Sequence, residues 1–486
     1  MLKPYLAVDV GASSGRAVLG FFEKGHLTLK EIHRFPTKSI LVDGILYWDA
    51  HYLKENILET LKKCSSIEHT HLQSLGIDAW NLDFGLLDSS NELLYNPVSY
   101  RSPVQSNVME AISTRIDEQT LYSLTGMGYL PITGLARLLQ LHTEHPNLFS
   151  ELACCYLPLP DLLSFFLTGR KHIEKTILWG TQLADIRTRD LSPYLLDLFQ
   201  LPAELFPARI LAGTPLSDVL PAIKESTGIE SAPVMSVAGH DTISAIASVA
   251  GMMEEVAFLC TGTWFILGKL IQTPLTDLHL LRKGFLNEIA INNLTYLARN
   301  MMGFYVLENL LRAWGMSYEQ MIQSAREAPE FTLDINVNDP FFFTSIHPIQ
   351  QIEEYFRKTQ QKAPSGRGPI LRAWLEGLAF ACREGVLELE QITGVKARKI
   401  MLLGGGARNS LLCQMIADAT GRIVVTGPAE AAAIGNLGIQ IMACGDVDSL
   451  MGVQEAVARS FPMSSHEPAA TERWEEHAGR RVILGN

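Results

Sequence analysis

Residues 5–22 of the chain read YLAVDVGASSGRAVLGFF, and the fold class follows from this stretch. Two apolar runs, Tyr5–Val10 and Ala17–Phe22, flank a turn of small residues, which predicts a β-hairpin. The turn comprises Gly11, Ala12, Ser13, Ser14, Gly15 and Arg16. Small side chains let backbone N–H groups approach a ligand, and hydroxyls and a guanidinium suit phosphate oxygens. We therefore interpret the segment as a phosphate-binding turn.

Three other interpretations of this turn compete with a phosphate-binding role, and the P-loop among them fails. The glycines could serve only to make a tight turn. A P-loop requires Lys followed by Ser or Thr and then a helix, whereas Arg16 is followed by strand-forming residues. The spacing also matches the G-x-S-x-G nucleophile elbow of serine hydrolases with Ser13 as nucleophile, but that elbow joins a strand to a helix after earlier strands of the sheet.

Composition points to a compact protein of two or more domains. The 486 residues are 47% hydrophobic and 19% charged, with a formal net charge of −12 that disfavours nucleic acid and anionic lipid as partners. Seven cysteines without C-x-x-C spacing suggest reduced thiols and no zinc site. We find neither a signal-peptide pattern nor an apolar run long enough to cross a membrane, so we expect a cytoplasmic protein.

Strand and helix signals alternate along the first half, which predicts α/β architecture. Asp49 can cap a helix over residues 50–63, and residues 75–80 predict a strand that ends in polar residues. Residues 106–200 are predicted to be mostly helical. A strand over 232–237 leads into Gly239-His240-Asp241-Thr242 and a helix, and we place the domain boundary here, giving domains 1–243 and 244–486.

The second half repeats the opening pattern. Residues 256–260 and 265–268 predict strands around the turn Thr261-Gly262-Thr263-Trp264, which suggests a duplicated domain with phosphate held between the copies. A further strand, 399–403, ends in Gly404-Gly405-Gly406, which leaves room for a flat ligand. A small-residue helix follows Gly427, and we interpret its face as a site of close packing and Glu430 as a charge in its first turn.

Together these segments resemble the FGGY family of carbohydrate kinases, within the actin, Hsp70 and hexokinase superfamily. The resemblance spans nearly the whole chain. It is carried by four motifs: Asp9–Arg16 and Thr261–Trp264 as the two phosphate turns, Gly239–Thr242 as the catalytic connection, and Gly404–Asn409 as the adenosine motif. It implies two similar actin/hexokinase-like (ribonuclease H-like) α/β domains with a nucleotide and sugar cleft between them.

The resemblance also implies an ATP-dependent transfer of phosphate to the C1 hydroxyl of a ketose. Asp241 would be the general base, and Asp9 would hold Mg²⁺. The implied ATP-binding residues are Ala12, Ser13, Ser14, Gly15, Arg16, Thr263, Glu308 and Gly405. The implied sugar-binding residues are Trp80, Asn81, Asp83, His240, Thr242 and Asn300, with Arg101 as a further candidate. The segment Asp78-Ala79-Trp80-Asn81-Leu82-Asp83-Phe84 is most similar to family members that phosphorylate L-rhamnulose.

Two residues depart from the pattern of those members. Asn81 stands where they have glycine near the sugar, and Glu308 stands where they have glutamine near the nucleotide. An added amide would fill space and offer hydrogen bonds, so a different ketose or polyol such as L-fuculose, xylulose or ribulose is an alternative substrate. A serine hydrolase that uses Ser13 and a catalytically silent sugar-binding regulator are the alternatives from other classes. The sequence does not indicate the oligomeric state.

Overall fold

A computed structural model describes residues 3–67, 71–249, 255–343, 347–362 and 364–481. The chain forms two compact units. Unit 1 comprises Met1–Gly251, Ile271–Leu297 and Glu430–Phe461, and unit 2 comprises Met252–Leu270, Ala298–Ala429 and Pro462–Asn486. These units depart from a simple division at residue 243, because two later segments pack with the first part of the chain.

The strands within the described residues are Lys3–Val10 (β1), Ser14–Glu23 (β2), His26–Pro36 (β3), Ser39–Val42 (β4), Ile45–Trp48 (β5), Ser74–Ala79 (β6), Phe84–Leu87 (β7), Cys155–Pro158 (β8), Ile173–Glu174 (β9), Ala184–Asp185 (β10), Asp190–Leu191 (β11), Arg209–Ile210 (β12), Pro215–Asp218 (β13), Pro233–Met235 (β14), Val256–Thr261 (β15), Trp264–Ile271 (β16), Phe285–Ile289 (β17), Thr295–Met302 (β18), Lys399–Gly404 (β19), Ile423–Thr426 (β20) and Ser465–His466 (β21).

The α-helices within the described residues are Ala50–Ser65 (α1), Ser106–Arg115 (α2), Glu118–Thr125 (α3), Gly134–Glu144 (α4), Leu159–Thr168 (α5), Lys175–Leu178 (α6), Pro193–Leu198 (α7), Pro221–Thr227 (α8), Asp241–Ala247 (α9), Leu278–Arg282 (α10), Tyr305–Trp314 (α11), Tyr318–Glu327 (α12), Pro348–Lys358 (α13), Arg367–Thr393 (α14), Ser410–Thr420 (α15), Ala431–Ala443 (α16), Leu450–Ser460 (α17) and Thr471–Ala478 (α18). No helix in this described part of the chain has the length and apolar character needed to cross a membrane.

The main sheet of unit 1 has the strand order β13-β14-β6-β1-β2-β3. The β1–β2 hairpin is antiparallel, and β6 runs parallel to β1. Parallel pairing brings the carboxyl ends of β1 and β6 to the same edge of the sheet, where Asp9 lies beside Asp78. The chain alternates strand and helix around this sheet, which confirms the α/β prediction.

Unit 2 repeats this arrangement. Its neighbouring strands follow the order β18-β16-β15-β19-β20-β21. The β15–β16 pair is antiparallel, and β19 runs parallel to β15. Each unit therefore contains an antiparallel hairpin, as the repeated sequence pattern predicts. In both hairpins the first strand also pairs in parallel with a third strand.

Helix α16 packs closely on α9 and on strands β1 and β6. A Cβ atom on Gly435 would lie 1.7 Å from the backbone oxygen of Ser244, so only glycine allows this approach. The same helix buries polar side chains: Asn436 Nδ2 donates to Asp78 Oδ2 at 2.6 Å, and Gln440 Nε2 donates to the backbone oxygen of Leu6 at 3.0 Å. The small-residue face is therefore a packing face, as predicted.

One local prediction needs correction. The first turn is shorter than its small residues suggested, because Ser14, Gly15 and Arg16 already belong to β2 and pair with β1 or β3. The region 106–200 is mostly helical, as predicted, and Cys155–Pro158 within it forms a strand that pairs with β7. All seven cysteines are free thiols.

Candidate active site

The first turn of unit 1 is held from one side by Thr37. Gly11 N donates to Ser14 O at 3.1 Å, Thr37 Oγ1 donates to Gly11 O at 2.6 Å, and Thr37 N donates to Ser13 O at 3.2 Å. Ser13 itself is exposed. Because Ser13 lies between two strands, it does not form the strand-to-helix elbow of a serine hydrolase.

Carboxylates gather at the carboxyl edge of β1 and β6. Burial raises the pKa of Asp9 to about 6, the Arg16 guanidinium lowers it, and Asp241 raises it. Burial and the neighbouring Asp9 raise the pKa of Asp78 well above its ordinary value. Arg16, opposite Asp9 in the hairpin register, places its Nε 3.3 Å from Asp9 Oδ2 and also pairs with Glu430. The edge therefore carries acidic groups with the Arg16 guanidinium beside them.

Glu430 occupies the N-cap position of α16, but its side chain makes no cap hydrogen bond there. Its carboxylate instead pairs with Arg16. Glu430 therefore lies at the helix N-terminus, as predicted. Its ion pair with Arg16 was not predicted.

The loop before α9 is fixed from both sides. Ala79 N donates to Gly239 O at 2.9 Å, and Gly239 N donates to Glu174 Oε2 at 3.0 Å. Asp241 is then the first residue of α9, and Thr242 N donates to its Oδ1 at 2.6 Å. Burial raises the pKa of the Asp241 carboxyl, whereas His240 and the Thr242 contacts lower it. The Asp241 side chain is still 30% exposed, so it is accessible to a ligand.

The Asp83 carboxylate accepts hydrogen bonds from two indole rings. Trp80 Nε1 donates to Asp83 Oδ2 at 2.7 Å, and Trp48 Nε1 donates to the same oxygen. The Trp48 and Trp80 rings lie 4.5 Å apart between centroids, and the Arg101 guanidinium lies 5.5 Å from the Trp48 ring. Burial raises the pKa of Asp83 to about 7 although both indole bonds lower it. Asp83 therefore orients the aromatic pair.

Asn81 faces the backbone of Gly180. A Cβ atom on Gly180 would lie 2.0 Å from Asn81 Oδ1, and that oxygen accepts from Leu82 N at 2.7 Å. Leu82 has a φ of +88°, a conformation that leucine rarely adopts. Asn81 Nδ2 is buried and has no hydrogen-bond partner among the described residues. The structure thus gives the orientation of a side chain that the sequence could not provide.

The second turn, in unit 2, rests on the start of α11. Gly262 N donates to Trp264 O at 3.1 Å, two residues along the chain, whereas Gly11 N in the first turn donates to Ser14 O, three residues along. Phe304 N donates to Gly262 O at 3.0 Å, and Tyr305 N donates to Thr263 O at 3.3 Å. The side chains of Thr263, Asn300 and Glu308, all predicted ligand contacts in this unit, are exposed.

The predicted adenosine motif follows β19. Gly404 has a φ of +83°, and a Cβ atom there would lie 2.3 Å from Thr261 O. Thr261 Oγ1 donates to Leu403 O at 2.6 Å and accepts from Gly406 N at 2.8 Å. Apart from Gly405 and its two chain neighbours, no residue that the structure describes has a heavy atom within 4 Å of a Cβ built on Gly405. The segment Gly404–Gly406 is thus held by contacts with Thr261 at both ends and has open space at Gly405.

Three acidic residues around these groups escaped the sequence analysis as site candidates. Asp78 begins the segment Asp78–Phe84 noted above. Its location beside Asp9 follows from the parallel register of β1 and β6. Glu174 lies two residues before Thr176, a spacing that can indicate its helix-capping bond from Thr176 N. The sequence carries no signal for its second bond, from Gly239 N in the loop before α9. Glu288, close to His240, carries no local signal at all.

Two family profiles match the chain. The N-terminal domain of the FGGY family of carbohydrate kinases matches residues 4–247, and its C-terminal domain matches residues 257–444. The chain is 35% identical over 476 residues to a rhamnulokinase of Bacteroides thetaiotaomicron, covering 98% of both proteins. It is 32% identical over 473 residues to a rhamnulokinase of Bacillus subtilis, covering 96% of both.

Solved structures show the same fold at low sequence identity. A ligand-bound xylulose kinase from Lactobacillus acidophilus matches with a TM-score of 0.80 at 16% identity, covering 98% of this chain and 96% of the other. A glycerol kinase of Plasmodium falciparum with ADP matches with a TM-score of 0.81 at 16% identity, covering 100% and 99%. The chain belongs to the FGGY family of carbohydrate kinases.

Proposed function

We propose that the protein transfers the γ-phosphoryl group of ATP to the C1 hydroxyl of a ketose, with L-rhamnulose as the substrate. The observation that carries the proposal is the placement of Asp241: a partly exposed carboxylate at the start of α9, on a loop held by β6 and Glu174. The relatives named rhamnulokinase support the choice of sugar. Seven free thiols support a reducing compartment, the cytoplasm, as the location.

Asp241 is the general base in this proposal. It accepts the proton of the attacking hydroxyl as the oxygen approaches the γ-phosphorus. Its raised pKa brings proton affinity closer to neutral pH, which suits a base. The backbone bond from Thr242 N orients the carboxylate, so little reorganisation is needed when substrate binds.

Residues of both units bind ATP in this proposal. In unit 1 the contacts are Ala12, Ser13, Ser14, Gly15 and Arg16, and in unit 2 they are Thr263, Glu308 and Gly405. Arg16 pairs with Asp9 and Glu430 in the structure, so phosphate competes with carboxylates for its guanidinium. When it binds phosphate, the Arg16 guanidinium neutralises the negative charge that develops during phosphoryl transfer.

The carboxyl edge of β1 and β6 fits a magnesium ion carried by ATP. Asp9 and Asp78 are neighbours in the parallel register, and Asp78 Oδ1 is buried without a hydrogen-bond partner among the described residues. Oxygen donors of this kind suit Mg²⁺, which keeps most of its waters and binds few protein carboxylates. Asp9 would hold the ion through water. When bound, the ion supplies charge neutralisation on the phosphates.

The sugar contacts proposed in unit 1 surround the aromatic pair and the loop before α9: Trp80, Asn81, Asp83, His240 and Thr242. Asn300 is the contact proposed in unit 2. An indole face beside amide and carboxylate groups suits a polyol with an apolar edge, such as a 6-deoxyketose. Since Asn81 Nδ2 has no hydrogen-bond partner in the described part of the chain, a sugar hydroxyl would satisfy it.

The proposal is tested by ADP release with MgATP across L-rhamnulose, L-fuculose, L- and D-xylulose, L-ribulose and glycerol. Asp241→Asn should lower kcat by about 10²–10⁴-fold, the usual contribution of a positioned base, while the sugar Kd from calorimetry changes little. Asp117→Asn is the matched control, because Asp117 is an exposed N-cap of α3 and asparagine also caps helices.

The outcomes separate the candidates. A preference for L-rhamnulose that Asp241→Asn removes supports substrate and base together. Turnover of another sugar retains the kinase and rejects L-rhamnulose. If the protein binds sugar but forms no ADP from ATP with any sugar of the panel, the kinase proposal is rejected in favour of a regulator.

A further inference from the structure

His240 lies between two carboxylates in unit 1. Its Nδ1 is 3.3 Å from Glu288 Oε2, and its Nε2 is 3.4 Å from Asp241 Oδ1. The His240 side chain is 9% exposed, and that of Glu288 is 6% exposed. An imidazole is thus enclosed with an acid on each ring nitrogen.

The chemistry of this arrangement selects one protonation state. Ionised carboxylates only accept hydrogen bonds, whereas a neutral imidazole has one donor and one acceptor nitrogen. A neutral ring would therefore turn an acceptor nitrogen toward one carboxylate. The imidazolium carries an N–H on both nitrogens and a positive charge, so it alone is attracted to both carboxylates at these ion-pair distances. Neither His240 Nδ1 nor Glu288 Oε2 has another hydrogen-bond partner among the described residues.

We infer that Glu288 is a positioning residue that holds His240 as an imidazolium directed at Asp241. This inference rests on the proposed function, since it assigns a task to Glu288 through the base. The cation at His240 offsets the cost of keeping Asp241 ionised near other acids. Glu288 thereby favours the carboxylate form that accepts the proton of the substrate.

The surrounding charges are consistent with this role. Burial lowers the pKa of His240, but Glu288, then Asp241 and Glu174, raise it above the ordinary value. Glu288 also raises the pKa of Asp241 directly, which opposes its effect through His240. The effect through His240 prevails, because its Nε2 is 3.4 Å from Asp241 and Glu288 contacts the opposite side of the ring.

The experiment measures the His240 pKa in the full-length enzyme by NMR with ¹⁵N-labelled histidine. His240→Gln identifies the signal among the 13 histidines. Glu288→Gln should lower the His240 pKa by about 1–3 units, as expected for loss of an opposite charge in contact. Glu288→Asp retains the charge and should preserve part of the shift.

Glu376→Gln is the matched control for loss of a buried carboxylate. Glu376 is 3% exposed and pairs with Arg372 in unit 2, so its substitution should leave the His240 pKa unchanged. Thermal melting of each variant reports folding, and the aspartate variant retains the test if glutamine prevents folding.

Kinetics supply the catalytic part of the test. In Glu288→Gln the acid limb of kcat/KM should move to higher pH, because Asp241 loses the adjacent cation. An unchanged His240 pKa in folded Glu288→Gln, or an acid limb that moves to lower pH, would overturn the inference. A lowered His240 pKa in an enzyme that phosphorylates no sugar would support the Glu288–His240 pairing and reject the proposed function.

Discussion

Thr261→Val should destabilise the enzyme through two buried backbone groups. In the structure the Thr261 hydroxyl accepts from Gly406 N at 2.8 Å and donates to Leu403 O at 2.6 Å. Valine has almost the same shape but offers neither a donor nor an acceptor. The Gly406 N–H, which is buried, is then left without its hydroxyl partner.

The magnitude follows from these two bonds. An unsatisfied buried N–H costs about 1–3 kcal/mol, and the lost bond to the Leu403 carbonyl adds about 1 kcal/mol. A loss of about 3 kcal/mol lowers the melting temperature of a 150–250-residue domain by roughly 6–12 °C. Under the proposed function the KM for ATP should also rise, because the glycine run loses its support, while the KM for sugar stays unchanged.

The assay is thermal melting followed by steady-state kinetics with ATP and sugar varied separately. Thr261→Ser is the control, since it retains the hydroxyl and removes only a methyl group. A valine variant that melts within about 2 °C of the wild type, or a serine variant that loses as much stability as the valine variant, would refute the reasoning.

Asn81→Gly should change the ranking of ketoses by kcat/KM, because it removes an amide whose Nδ2 finds no partner among the residues that the structure describes; an unchanged ranking in the substrate panel would contradict a role in the pocket. Gly435→Ala should cost about 1–3 kcal/mol in denaturant unfolding despite the better helix propensity of alanine, since its Cβ would lie 1.7 Å from Ser244 O, and equal stability would show that the helices separate freely. Burial raises the pKa of Asp83 and of Glu376 to about 7, above their unfolded values, so the folded state binds more protons and stability should increase as pH falls from 8 to 6; melting curves that show the opposite slope would reject these shifts.

Local signals allowed much of the fold to be predicted. Asp49 caps α1 as expected, with Tyr52 N donating to its side chain at 2.8 Å. Asn409 caps α15 by accepting from Leu412 N, and Gly421 ends that helix with a φ of +64°, so both ends of α15 carry residue types typical of helix termini. These signals lie within a few residues of the structure they specify, so one sequence is enough to read them.

Features that depend on distant segments could not be predicted. Pairing of Phe84–Leu87 with Cys155–Pro158 joins strands that are separated in the sequence by helices α2, α3 and α4. The contact of Glu288 with His240 requires a segment of the second half to pack in unit 1. The orientation of Asn81 depends on Gly180, which no spacing rule connects to it. The motifs thus predicted which residues form the proposed base and phosphate turns, whereas the contacts that support these residues required the folded chain.

The return of Glu430–Phe461 to unit 1 has a consequence for how the protein is made. Helix α16 covers β1 and β6 and supplies the Asn436 amide to buried Asp78, so the first sheet lacks part of its core until this segment exists. During synthesis, strands near the N-terminus must wait for a helix near the C-terminus before they can complete their packing. A ribosome-bound chain therefore keeps part of the apolar surface of this sheet uncovered until the last segment of unit 1 has been synthesised, and such surface favours aggregation during folding.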